Sequence, residues 1–242
     1  MTTPWRARFA PTLEPVDSPK IVPKIVIAGT GRAGTTLLVQ IMTDLGFDTG
    51  FKVGIGTNDP GRPGLEKNIL APDAPRVIKS PRLSAELGPL LERGVIQVEH
   101  VIIPIRDLEV AAASRVRAAS YGRSLNAHGG LQFGNKRAPQ QRAALADVLA
   151  QLFVTIARFD LAHTLLYFPR FASDHEYTHR QLKCLDPTLT VDEYQRVMVA
   201  RFRPEQIHHA PLDRSERLRM HLNTPVATAK RVAAVARRAT KP

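Results

Sequence analysis

The residues best suited to chemistry stand early in the chain, at Gly29-Thr-Gly-Arg-Ala-Gly34-Thr35-Thr36. Their G-x-x-x-x-G spacing is that of a phosphate-binding loop. Glycines let backbone N–H groups turn inward and cradle anionic oxygens. A helix starting at Gly34 aims its positive end at the same anion. Thr35 and Thr36 add hydroxyl donors. The plainer alternative is a glycine-rich turn joining a strand to a helix. A loop that serves nucleotide hydrolysis places lysine directly after its last glycine, where it reaches the β- and γ-phosphates. Here that position is Thr35, which disfavours an ATP-driven enzyme. The nearest cation within the loop is Arg32, whose planar donor fork suits a bridging anion.

A second anion site is legible at Ile103-Pro-Ile-Arg106-Asp-Leu-Glu-Val-Ala-Ala-Ala-Ser114-Arg115. Arg106 falls at the carboxyl end of an apolar strand. Ser114 follows about two helical turns into the next helix. A cation and a hydroxyl so placed grip one phosphate from two sides. The alternative for Arg106 is a structural ion pair with Asp107 or Glu109.

The elements that must position these residues follow from periodicity. Lys24–Gly29 is a short β-branched run ended by glycine, a buried strand. Residues 34–46 place Leu37, Leu38, Ile41, Met42 and Leu45 at helical spacing, with Gly46 as a stop. Residues 50–75 read as a long loop with a short helix near Leu65–Ile69; a loop of that length in a compact domain is usually functional. Further strands are predicted at 76–79, 100–105 and 164–168, and helices at 84–93, 107–119, 139–159, 174–185 and 191–202. Strands alternating with helices predict an α/β fold, a parallel sheet flanked by helices on both faces. Ligands then bind at the carboxyl ends of the strands. Residues 1–20, with four prolines, read as an extended leader, 21–210 as one domain and 211–242 as a basic tail.

Composition narrows the classes. Apolar residues make up 43% of 242, enough for a packed core. No stretch approaches 18 uncharged apolar residues, so no membrane span is expected. The N-terminal residues carry no apolar signal region. Cys184, the single cysteine, forms no internal disulfide, and no metal cluster is foreseen. These features predict a cytoplasmic protein. Net charge is +12, and residues 212–242 hold eight Lys/Arg against two Asp/Glu. A basic chain points to an anionic partner. Aromatics are only 6% and do not interleave with basic runs, so nucleic acid is not the expected one.

GTGRAGTTLL after a strand resembles the 5′-phosphosulfate loop of sulfotransferases that use 3′-phosphoadenosine 5′-phosphosulfate (PAPS), of a bacterial type. Arg106 and Ser114, eight residues apart, are similar to that family's 3′-phosphate motif. The resemblance covers roughly residues 24–185. It implies a P-loop NTPase-like three-layer sandwich, with Gly31, Arg32, Ala33, Gly34, Thr35 and Thr36 around the 5′-phosphosulfate. It makes Lys79, at the end of the strand between the two motifs, the lysine that touches the transferring group. It makes Phe168, in Tyr167-Phe168-Pro169, an aromatic that packs on adenine; a core role for Phe168 is the alternative. The tail lacks the glycine-rich C-terminal motif of the animal cytosolic branch, and Leu37 stands where that branch has an adenine-stacking tryptophan.

The implied reaction is in-line attack of an acceptor hydroxyl or amine on sulfur, with 3′-phosphoadenosine 5′-phosphate leaving and no metal required. Catalysis in such transfers is mainly positioning and electrostatics, here from Arg32 and Lys79. Many relatives place the base two residues after the lysine, but that position is Pro81. Other branches use a glutamate between the motifs, which makes Glu66 the first candidate base. His128, in the glycine-flanked Asn126-Ala-His128-Gly-Gly130, is the second. Loops 50–75 and 120–138 are expected to form the pocket for a small-molecule or glycan acceptor. Two other readings compete: a P-loop small-molecule kinase using ATP, and a non-enzymatic polyanion binder. Neither acceptor identity nor oligomeric state is readable.

Overall fold

A computed structural model describes residues 21–56, 64–80, 82–120, 138–204 and 207. The leader, the basic tail and most of the 120–138 loop lie outside these. The elements are β1 (Lys24–Ile27), α1 (Thr35–Asp44), β2 (Val77–Lys79), α2 (Leu83–Glu92), β3 (Val98–Ile105), α3 (Leu108–Ser120), α4 (Ala138–Arg158), β4 (His163–Tyr167), α5 (Arg170–Ser173), α6 (His175–Leu182) and α7 (Val191–Arg201).

All four strands run parallel in the order β2-β1-β3-β4. This is the α/β fold that alternation predicts. Alternate strand residues feed two cores, as the two-residue side-chain period requires. Ile25, Ile27, Ile102 and Leu166 pack with α1, α6 and α7. Val26, Ala28, Ile78, Val101 and Ile103 pack with α2 and α4 on the other face. Buried on both faces, β1, β2 and the centre of β3 are near-continuous apolar runs, whereas the edge strand β4 alternates exposed and buried residues. Ala111 and Ala112 of α3 meet Leu145 of α4, and the small side chains let the two helices lie close.

In register, Ile27 of β1 pairs with both Lys79 of β2 and Ile102 of β3. The phosphate-loop sequence therefore leaves the sheet beside Lys79. Arg106 follows directly after the end of β3. The turn there is fixed by Asp107, whose Oδ1 accepts from the Val110 N–H at 2.9 Å and caps α3.

The helix expected near Leu65–Ile69 does not form. Leu65 has φ 59, a left-handed value no α-helix contains, and the Asn68 side chain turns back to accept from the Leu70 N–H at 3.0 Å. The four-residue α5 has no counterpart in the predicted elements. Among the described residues no helix is long and apolar enough to cross a membrane.

The far end of α1 is held by a mostly buried ion pair. Arg201 Nε and Nη2 donate to the two Asp44 carboxylate oxygens at 2.5 and 2.8 Å, and Nη1 donates to the Ile55 carbonyl at 2.7 Å. The Arg201 hydrogen bond holds the Asp44 carboxyl below its ordinary range. Its contribution to stability is therefore present above the ordinary carboxylate range and is lost as pH falls through the lowered value. Asp44→Ala leaves the guanidinium unpaired and should cost about 3 kcal/mol, measured by urea unfolding at neutral pH.

Candidate functional site

The loop between β1 and α1 has an unusual backbone. Gly31 and Arg32 are both left-handed, at φ 64 and 56, and Gly34 follows at φ 73. For Arg32, the non-glycine residue, this conformation costs about 1 kcal/mol or more. Strain of this kind persists where the surroundings fix it. Among the described residues, the N–H groups of Gly31, Ala33, Gly34, Thr35 and Thr36 meet no protein acceptor. Unpaired N–H groups in such a turn are the kind of array that can seat an anion.

The loop is held from three sides. At its start, Ser84 Oγ of α2 accepts from the Gly29 N–H at 2.8 Å and donates to the Gly29 carbonyl at 2.9 Å. From the end of β3, Arg106 Nη1 donates to the Arg32 carbonyl at 3.1 Å. From α3, Ser114 Oγ accepts from Arg32 Nε at 3.1 Å, and Arg115 Nη2 donates to the Thr30 carbonyl. The two predicted motifs thus converge on one residue, Arg32. The alternative partners of Arg106 are engaged elsewhere: Asp107 caps α3, and Glu109 pairs with Arg142 at 2.8 Å.

Lys79 reaches the other flank. Its Nζ donates to Thr36 Oγ1 at 3.2 Å and to the Gly64 carbonyl at 2.5 Å. Glu66 Oε1 stands 3.6 Å from Nζ, an ion-pair distance too long for a hydrogen bond. That oxygen is buried and has no hydrogen-bond partner among the described residues. Of the two candidate bases, Glu66 therefore lies beside Lys79. His128 lies outside the described residues.

Positive charge accumulates here. Lys79 and Arg106 are only 6% and 7% exposed, and Arg115 is fully buried. Burial pushes all four cations below their ordinary values, and Arg32 adds repulsion to Lys79, Arg106 and Arg115. For Lys79, attraction to Glu66 works in the opposite direction. Arg115 is pushed down to about 10 and remains charged at neutral pH.

Phe168 belongs to the core. Its ring centroid lies 5.6 Å from that of Phe171, and the Arg106 guanidinium stands over the ring at 5.1 Å. Its packing contacts are those of the core alternative. Ser84 and Arg115 are the site residues that sequence reasoning misses. The signal for Arg115 is an arginine next to an Ala-Ala-Ala run. Those small side chains mark a closely packed helix, and a cation beside them must find a partner inside.

In comparisons with known proteins, the chain matches no family model and no curated protein.

The fit of loop to core has a direct test. A Cβ at Gly34 would stand 2.6 Å from Phe168 Cδ2 and 2.8 Å from Phe171 Cζ, with a left-handed backbone besides. Gly34→Ala should lose about 2 kcal/mol or more of stability in chemical unfolding. An unchanged value would mean that the two rings give way freely.

Proposed function

We propose that this chain is a sulfotransferase that moves a sulfuryl group from PAPS to an acceptor hydroxyl or amine. The observation that carries this reading is the meeting of Arg106 and Ser114 on Arg32 of the amide-lined loop. It puts one cation and one hydroxyl within reach of the same anion-binding turn. A donor with phosphate on both its 5′ and 3′ sides uses both, whereas an adenosine diphosphate uses the turn alone. The supporting geometry on the acceptor side is Lys79 on Thr36, with Glu66 3.6 Å away.

In this reading the loop amides, with Thr35 and Thr36, hold the 5′-phosphosulfate. Arg106 and Ser114 hold the 3′-phosphate. The chemistry is a metal-independent in-line displacement: a bond forms from the acceptor oxygen or nitrogen to sulfur, the bond from sulfur to the bridging phosphate oxygen breaks, and the electron pair leaves with 3′-phosphoadenosine 5′-phosphate. Arg32 and Lys79 neutralise charge growing on that bridge. The Glu66 carboxylate takes the acceptor proton. The fold would then be a P-loop-like three-layer sandwich, and the protein would work in the cytoplasm on a small-molecule or glycan acceptor.

The deciding experiment is a thermal-shift comparison of 3′-phosphoadenosine 5′-phosphate with ADP in magnesium-free buffer. The 3′-phosphorylated ligand should give the larger shift, and Ser114→Ala with Arg106→Met should abolish the difference. Equal shifts in the wild-type protein would remove the reason to prefer a sulfuryl donor over ATP.

The base has its own test. Glu66→Gln should lower sulfuryl transfer by at least about a hundredfold, the low end of a general base's usual contribution. A smaller loss there, with a large loss in His128→Ala, would move the role to His128.

A further inference from the structure

Arg115 has no place in the reading so far, yet it is the largest fully buried side chain of the described residues. It sits on α3 directly after Ser114, and its Nη2 donates to the Thr30 carbonyl. The same nitrogen lies 2.9 Å from where a Cβ at position 31 would stand, so a side chain there would have to displace it, on a left-handed backbone besides. One residue pair further along, Arg106 Nη1 donates to the Arg32 carbonyl at 3.1 Å. Two buried guanidiniums therefore hold two alternate carbonyls of one loop.

The peptide bond makes this consequential. In a planar trans peptide the carbonyl and the following N–H point in opposite directions. Drawing the Thr30 carbonyl towards Arg115 turns the Gly31 N–H the other way. Drawing the Arg32 carbonyl towards Arg106 does the same for the Ala33 N–H. Both N–H groups meet no protein acceptor among the described residues. A free loop rich in glycine has no reason to keep two peptide planes aligned, since glycine populates both signs of φ.

We infer that Arg115 is a positioning residue: from behind the loop it fixes the 30–31 peptide so that the Gly31 N–H faces the anion, and it adds a buried positive charge beneath the seat. Its role is at the diphosphate-like end of the ligand, common to any nucleotide the loop takes. The inference rests on the anion-loop reading above and names a group that reading leaves unassigned. Being fully buried, Arg115 acts through the loop backbone and not on the ligand itself.

The test uses the full chain and three ligands in magnesium-free buffer, measured by titration calorimetry: inorganic pyrophosphate, ADP and 3′-phosphoadenosine 5′-phosphate. Arg115→Met should weaken all three by one common factor, about tenfold to hundredfold, the scale of a charge-assisted hydrogen bond. Arg115→Lys should recover part of that loss. Pyrophosphate should also move the Gly31 amide resonance in the wild-type protein and leave it unmoved in Arg115→Met, a readout that a purely structural role would not change. Should Arg115→Met fail to fold, Arg115→Lys against wild type decides, with the common factor as its criterion.

Unchanged affinities in a folded variant overturn the inference. So does a loss confined to 3′-phosphoadenosine 5′-phosphate, which would put Arg115 on the 3′ side. So does a wild-type protein that fails to bind pyrophosphate, since there would be no seat to aim. A wild-type protein that binds pyrophosphate but treats ADP and the 3′-phosphorylated ligand alike overturns the sulfuryl-donor reading only, and the pyrophosphate arm still decides Arg115.

Discussion

Like charges gathered out of water are the constraint around which this site is built. Lys79, Arg106 and Arg115 are each more than nine-tenths buried, and all three feel the field of Arg32. Desolvation and mutual repulsion both oppose such an arrangement. Hydrogen bonds to carbonyls offset part of the cost: Thr30, Arg32 and Gly64 each supply one. Carbonyl dipoles do not neutralise net charge. Glu66, at 3.6 Å, is the one carboxylate among the described residues within ion-pair distance of Lys79. A multiply charged anion seated on the loop would relieve the repulsion. The field that disfavours gathering these cations is thus the field that would favour such an anion.

The scaffold makes that field a local one. β1 stands between β2 and β3, so the ends of those two strands deliver Lys79 and Arg106 to opposite flanks of the loop that leaves β1. β1, β2 and the centre of β3 are buried on both faces and cannot slip by one residue without sending their apolar side chains into the wrong core. Precision at the site therefore derives from hydrophobic register. The loop contributes strain instead, through Arg32 in a left-handed conformation, and the β3–α3 junction holds that strain in place.

How legible this was depends on the range of the signal. β-branched runs such as Arg76–Lys79 and His100–Ile105 announce buried strands, because a short apolar run bounded by turns has few other uses. The stripe through Leu145, Val148, Leu152 and Ile156 announces α4 for the same reason. The glycine spacing at 29–34 and the pairing of Arg106 with Ser114 could be singled out as candidate anion-binding features before any coordinates, and the fold brings both to Arg32. Other features lie beyond local pattern. The four residues of α5 are too few to show a period. Leu65 is driven to positive φ against the helix that its apolar neighbours imply. Phe168 shows no sequence mark of its packing on Gly34, nor Ser84 of its bonds to Gly29, since partners 55 or more positions away decide both.

The bonds of Lys79 carry a last consequence. An ammonium group has three hydrogens, and two already rest on Thr36 Oγ1 and the Gly64 carbonyl. A free lysine side chain carries about 2 kcal/mol of rotamer entropy. Here that freedom has been surrendered during folding, before any ligand arrives. Capture of an anion at Nζ therefore freezes little further motion. The side chain acts as a stiff post, with one hydrogen left over from its two bonds.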